Sequence, residues 1–388
     1  MGRAHGRREH TLTAVVDHLS HLIRLPSMSA LSNRPVADYA ASVLSAQGWT
    51  TREVPYLDEA GIKKVNLIAA PPGKNVAERV VDLVFLCHTD TVPFAKDWLQ
   101  ALQPIVQEQM LHGCGACDVK GFLACLLTAA ESRDTRWIDG LRIVLTADEE
   151  VGCIGSKRLI AADSLRPQRL VVGEPTSLRA ARAGKGYCLA RVTIHGKEAH
   201  SALPAQGVSA IYAAAHLISA LEELSEQLAM ETHHLFEPPF TTLNVGTIEG
   251  GSAKNIIPGR ANILVEWRPV PGLPPHRVPT AIRAMIGHLE KRYPGLRGTQ
   301  EVLRQQAGFE TAADSPLVRL MERVTGQPAT SIAFGSEASA WSAITEEVVV
   351  FGPGDMRTAH SDRECVSIAE LIAAVQAVTG MMQGRFDF

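Results

Sequence analysis

No stretch of this chain approaches the roughly 18 consecutive apolar residues that a membrane-spanning helix requires, so no membrane span is expected. A charge surplus is also missing: 38 basic residues stand against 41 acidic ones, a formal charge of -3. That balance offers no long-range field for phosphate backbones or anionic lipid, and neither nucleic acid nor a membrane surface is expected as a partner. The seven cysteines, at positions 87, 114, 117, 125, 153, 188 and 365, are odd in number and lack the spacing of a disulfide framework. They read as free thiols, and Cys114 with Cys117 is a single CxxC without the second pair of a zinc finger. The Arg-rich opening MGRAHGRREH leads into an amphipathic pattern instead of a signal-peptide core, so residence in the cytoplasm is the expectation. Two catalytic signatures are absent as well. GCGACD lacks the third glycine of a dinucleotide-binding loop, and QGVSAI misses the last glycine of a GxSxG elbow.

What remains is a folded chain of 388 residues, 46% hydrophobic, long enough to bury two cores. Apolar residues at Leu12, Val15, Val16, Leu19, Leu22 and Ile23 have a helical period that ends near Pro26, and a second helix is predicted from Pro35 to about Gln47. VNLIAA, VVDLVFLC, LRIVLTA and RLVVG are short, nearly all-apolar runs of the kind found in strands buried on both faces of a parallel sheet. Helical stretches lie between them, so the first part reads as a layered α/β domain. From Gly184 the texture becomes β-α-β-β-α with a last strand near Gly298 to Leu303, the split βαβ sandwich. The tail, with the apolar strand EVVVFG and a final helix from Ser367 to Gly380, reads as more of the first domain. The expected architecture is a discontinuous α/β domain over 1–183 and 304–388, interrupted by a smaller ferredoxin-like α+β lid over 184–303.

In open α/β sheets ligands gather beyond the carboxyl ends of the strands. Metal-ligand side chains stand at those positions here. His88 and Asp90 follow VVDLVFLC; Asp148, Glu149 and Glu150 follow LRIVLTA; Glu174 follows RLVVG; and His360 comes eight residues after EVVVFG. Asp118 joins them from the loop LHGCGACD. Each alone could be a helix cap or a solvated turn. Converging at one sheet edge, they form a mixed nitrogen and oxygen set that suits zinc with positions left open for water. Asp118, Glu150 and Glu174 contribute three negative charges against the four of two zinc ions, whereas a metal-free cluster would force carboxylates to take up protons.

The segments CHTDTVPF, GCGACDVKGFLA, TADEEVGCIGS, VVGEPTS, AHSALPAQGVSAI, NIIPGR with VEWRPVPG, FGSEASAW and FGPGDMRTAH resemble, in order and spacing, the zinc aminoacylase family of carboxypeptidase-G-type metallopeptidases. EPTS, WRPVPG, GSEA and GPG…AH look most like its acetylornithine deacetylase branch. The resemblance implies a di-zinc catalytic domain with a lid that also serves dimerisation. It implies a hydrolase acting on a small N-acyl amino acid, N-acetylornithine first, with a related deacylase or dipeptidase of the same family (succinyl-diaminopimelate desuccinylase, aminoacylase) or a non-catalytic amino-acid binder as alternatives; cobalt or manganese could replace zinc.

By matching position, the resemblance implies that Asp118 bridges two ions, with His88 and Glu174 completing one site and Glu150 and His360 the other. Glu149 is then the general base, and Asp90 orients the His88 imidazole by accepting its second N–H. A cis peptide after Asp118 is implied as well. His200 matches a residue that stabilises the tetrahedral oxyanion in the other subunit's site, against the plainer reading of an exposed loop histidine. Arg268, Asn255 and Lys185 match positions that face substrate, Arg268 as the carboxylate clamp. Glu337 is a candidate partner for a substrate amine, or a helix cap. Cys87 and Cys114 depart from the glycine and arginine usual at those positions and are expected to line the site entrance.

Overall fold

The structure is a computed structural model describing residues 2–132, 134 and 136–386; the side chains of the opening MGRAHGRREH lie outside the described residues. The chain divides into two compact units, one of residues 1–182, 311–330 and 336–388, the other of 183–310 and 331–335.

The first unit is built on a mixed sheet. Its strands run in the order Thr50–Leu57, Lys63–Ala70, Leu141–Thr146, Val80–His88, Arg166–Val172, Glu347–Val350 and Ala181–Gly184, the last carrying the chain into the second unit. The four in the middle, Leu141–Thr146, Val80–His88, Arg166–Val172 and Glu347–Val350, are mutually parallel, so their carboxyl ends share one edge. Alternate side chains explain the continuous apolar runs. Leu83, Phe85, Cys87, Ile143, Leu145, Val171 and Val349 join the core formed with helices Gly2–Arg24, Arg34–Ala46, Lys120–Ala130 and Ile368–Met382. Val84, Leu86, Val144, Leu170 and Val172, pointing the other way, are equally buried, as a sheet covered on both faces requires. Every residue of Lys120–Ala130 is buried, which makes it the central helix of this unit.

The second unit is an antiparallel four-stranded sheet in the order Thr242–Gly250, Arg260–Arg268, Tyr187–His195 and Arg297–Gln306. Its helices, Ala210–Ala229 and Arg277–Arg292, pack on one face. Cys188, Ala190, Val192 and Ile194 alternate into a core with Ala261, Ile263, Val265, Trp267, Leu217, Leu221, Ile282 and Ile286. The last strand is longer than the pattern suggests, because a bulge between Val302 and Arg304 restores register and lets pairing continue to Gln306. Among the described residues no helix is long and apolar enough to cross a membrane.

Candidate metal centre

A parallel strand delivers the residue after its last hydrogen bond to the sheet's carboxyl edge, and four strands do so at once here. His88 closes its strand, Glu174 comes two residues after Val172, Glu149 and Glu150 lie in the turn after Thr146, and His360 lies in the loop after Val350. Asp118 comes from the loop ahead of the helix Lys120–Ala130, with a cis peptide to Val119. Asp118 Oδ1 lies 3.1 Å from His88 Nε2 and Oδ2 lies 3.1 Å from His360 Nε2, which is 3.3 Å from Glu150 Oε1. Ligand-capable atoms of His88, Asp118 and Glu174 are within 4.8 Å of one another, as are those of Asp118, Glu150 and His360, and of His88, Glu149 and Glu150.

The surrounding chain holds these groups by charge-assisted and backbone bonds. Asp90 does so differently from the expectation. The Nδ1 of His88 is 3.0 Å from the Asp90 main-chain carbonyl but 3.7 Å from its carboxylate. The carboxylate instead accepts the backbone N–H of Glu149 at 3.1 Å on one oxygen and that of Glu150 at 3.2 Å on the other, with the Ser29 hydroxyl donating at 2.7 Å. Buried N–H groups at a turn need an acceptor, and a carboxylate fills that need with both oxygens. The Cys153 thiol, 3.2 Å from Glu149 Oε1, donates to the neighbouring carboxylate. Below the same turn, the fully buried Lys64 ammonium pairs with Asp148 at 2.8 Å, whose other oxygen accepts from the Tyr56 hydroxyl at 2.8 Å. Asp148, Cys153 and His360 all have left-handed backbone, φ 59°, 56° and 57°, an uncommon conformation for such residues that persists where the surroundings over-determine it.

Four carboxylates beside two imidazoles leave a definite electrostatic signature. Burial pushes Glu174 well above the usual carboxylate range and Glu150 up to about 7, and the charge of Asp118 adds to both. Burial opposes charge on His88, yet the bond to Asp118 and the surrounding carboxylates hold it well above the ordinary imidazole value. Bonds to Asp118 and Glu150 raise His360 to about 10. Burial would raise Asp118, but the two histidines outweigh it and hold it below the usual range. Without cations, protons have to keep the cluster tolerable. Two triads of nitrogen and carboxylate donors sharing one aspartate are a donor set that fits two divalent ions, which would take over that charge compensation.

The remaining residues singled out in the sequence have other surroundings. Glu337 is fully buried, accepting from the Thr146 hydroxyl at 2.9 Å and from Ser156 at 2.6 Å, while Trp341 Nε1 donates to Ser156 at 2.7 Å. It braces the strand leading to Glu149, and burial first of all pushes its carboxyl up to about 7. In the second unit, Lys185 is buried and donates to the carbonyls of Pro238 at 2.8 Å and Phe240 at 2.7 Å. The Arg268 guanidinium stacks 3.9 Å from the Tyr187 ring and donates to Glu266 at 2.8 Å. His200 is exposed; its Nδ1 accepts from the Ala202 N–H at 3.1 Å, which leaves the proton of a neutral ring on Nε2. Asn255 lies beside it, its carbonyl accepting from the Ser201 N–H at 3.0 Å.

Cys87 and Cys114 correct an expectation. Both are buried in the first unit instead of lining an entrance. Cys87 alternates with His88 along the strand, so the histidine's approach to Asp118 turns the cysteine into the core.

Glu364 had no signal in the sequence. It is buried and accepts backbone N–H bonds from Gly115, Cys117 and Asp118, which no spacing rule distinguishes from an ordinary surface glutamate.

Residues 84–384 match the family described as peptidase family M20/M25/M40. Over 363 residues the chain is 41% identical to an acetylornithine deacetylase from Myxococcus xanthus, covering 93% of this chain and 95% of that one. Among solved structures it is similar to aminopeptidase PepT from Bacillus cereus, with a TM-score of 0.76, 20% identity and coverage of 96% and 98% of the two chains. It is also similar to the Bacillus subtilis YXEP protein, described as a dinuclear metal-binding peptidase of the M20 family, with a TM-score of 0.70, 13% identity and coverage of 98% and 99%. With the family match spanning most of the chain and a relative this similar along nearly its full length, the protein belongs to peptidase family M20/M25/M40, in its acetylornithine deacetylase branch.

Proposed function

We propose that the protein is a zinc-dependent amidohydrolase that converts N2-acetyl-L-ornithine and water to L-ornithine and acetate, a step of arginine biosynthesis, in the cytoplasm. The observation that carries this reading is the pair of ligand triads sharing Asp118, in a chain 41% identical to an acetylornithine deacetylase. His88 and Glu174 would hold one zinc ion, Glu150 and His360 the other, with Asp118 common to both. Bound there, a pair of ions polarises the amide carbonyl and lowers the pKa of water.

The chain's own residues perform the rest. Glu149 is adjacent to a ligand and outside both triads that share Asp118, and its carboxylate takes the role of base. It accepts a proton from the attacking water as the carbon–oxygen bond forms. It returns that proton to the nitrogen as the carbon–nitrogen bond breaks, releasing the amine. The Cys153 thiol and the Asp90 clamp hold the carboxylate and its backbone in place. His200, with its proton on Nε2, is the donor for the oxyanion. Arg268 offers a guanidinium fork to the substrate carboxylate, and Asn255 adds a polar contact. Lys185 and Glu337 are bonded to the scaffold, and we leave them out of substrate recognition.

The second unit would also form a homodimer. Tyr212, 70% exposed, lies with Ile211, Ile256 and Ile257 around a cavity of about 980 Å³ on its surface. Large exposed apolar surface of this kind marks association sites.

The test is a panel of acetyl, succinyl and formyl amino acids assayed for released amine, with Glu149→Gln beside the parent enzyme. Acetylornithine should be cleaved, and the variant should keep its metal while losing at least ~100-fold in kcat. If acetylornithine is inert and another N-acyl amino acid is consumed, the substrate assignment fails. A metal-loaded chain that cleaves no member of the panel, or a fully active variant, defeats the hydrolase reading.

A further inference from the structure

The loop that presents Asp118 is wrapped around a side chain from elsewhere in the sequence. Glu364 Oε2 accepts the backbone N–H of Gly115 at 2.9 Å, and Oε1 accepts those of Cys117 at 3.1 Å and Asp118 at 3.0 Å. Its main-chain carbonyl takes a fourth, from the Gly113 N–H at 3.2 Å. Gly115 turns with φ 78°, and a Cβ there would meet the Lys120 side chain at 2.8 Å, so the turn around the carboxylate depends on glycine. Glu364 belongs to the same loop as His360, and His360 approaches Asp118 Oδ2 from the opposite end of the aspartate. The segment from His360 to Glu364 therefore grips Asp118 twice, once at its side chain and once through its backbone.

We infer that Glu364 is a positioning residue: its carboxylate sets the backbone of the Asp118 loop so that both oxygens of Asp118 are presented, one toward each ligand triad. This inference rests on the two-ion reading above. The physical reason is the acceptor count. A carboxyl group has an acceptor oxygen at each end for N–H donors, whereas an amide of the same size has one at a single end. In Glu364→Gln one end becomes an NH2 group. It would face either the Gly115 N–H or the pair from Cys117 and Asp118, donor against donor, and the loop would have to move.

The experiment measures zinc binding by chelator competition and the visible spectrum of the cobalt-substituted protein, alongside kcat, KM and the unfolding midpoint, for the full chain and for Glu364→Gln. Zinc affinity should fall about 10- to 100-fold, the usual effect of losing a group that orients a metal ligand. The cobalt bands should shift, and kcat should fall while KM stays within about twofold, as for an interaction that does not bind substrate. Zinc affinity and cobalt spectrum equal to the parent's, with only the unfolding midpoint lowered, would make Glu364 a structural brace and overturn the inference. If the glutamine variant does not fold, Glu364→Asp serves in the same two assays. One methylene shorter, its carboxylate is drawn back from both sets of donors, and parent-like binding and spectrum would again overturn the inference. A parent protein that binds no zinc at all would instead refute the two-ion reading, which keeps the two failures apart.

Discussion

The carboxylate of Asp90 accepts the backbone N–H of Glu149 at 3.1 Å, so the residue expected to steer a histidine is bonded to the turn that carries the base. Its second oxygen does the same for Glu150. Asp90→Asn keeps the size but replaces one acceptor with a donor that faces a backbone N–H. We expect kcat to fall roughly 10- to 100-fold with the fold intact. Steady-state kinetics with circular dichroism will show it, and an unchanged kcat would mean that the turn holds without the clamp.

Lys64 and Asp148 are both buried, at 2.8 Å, with Tyr56 donating to the other aspartate oxygen. Lys64→Met strands the carboxylate, and leaving one half of a buried ion pair unpaired costs about 3–5 kcal/mol. Adding Asp148→Asn should recover part of the loss, because the two sites share one interaction. Urea unfolding of the single and double variants measures both; a single-variant loss below about 1 kcal/mol would contradict the assignment.

Gly155 lies in the first turn of the helix Ile154–Ala161, against the turn bearing Glu149. A Cβ there would stand 2.5 Å from the Ala147 carbonyl oxygen and from Asn66 Oδ1, with the backbone itself in the way. Asn66 in turn accepts the Ala147 N–H at 3.0 Å, so the displacement would reach the turn. Gly155→Ala should destabilise by about 1–3 kcal/mol through overpacking, and lower activity with it. Thermal unfolding that matches the parent's would show that the helix can shift freely.

Metal uptake should release protons. In the metal-free chain Glu150 and His360 sit at about 7 and about 10, and Glu174 and His88 are also raised, so these groups hold protons near neutral pH that a cation must displace. Asp118, held low, is already ionised and contributes none. Affinity should therefore weaken as pH falls below 7. Calorimetric titration with zinc in two buffers of different ionisation enthalpy gives the proton count directly, and equal heats in both would rule the release out.

Stripping the ions with a chelator should lower the unfolding midpoint, because a ligand that binds the folded state alone stabilises it by mass action.

Much of the fold is legible in the chain itself. Runs such as VVDLVFLC and LRIVLTA have no continuous polar face, which suits strands buried on both sides of a parallel sheet, with the side chains that follow them gathered at one edge. The alternation in YCLARVTIH and RANILVEWR likewise marks a sheet with a single covered face. His88, Glu149, Glu150 and Glu174 can be named for the same reason, since each ends its strand or stands just past it; Asp118 and His360 reach the edge from longer loops.

Other features depend on contacts between distant segments. Glu364, Lys64 and the carboxylate of Asp90 act on backbone groups or on a partner far along the chain, and nothing in their local sequence separates them from solvated charges. Cys87 looks like a residue of the site because it precedes His88, yet strand alternation and the packing of Lys120–Ala130 turn it into the core. Sequence periodicity determines which face a residue takes and which strand end it follows, because those depend on neighbours one to four positions away. Which acceptor meets which buried N–H was decided only when the loops of 113–118, 147–153 and 355–364 closed on one another, since a hydrogen bond is set by a few tenths of an ångström that no local pattern encodes.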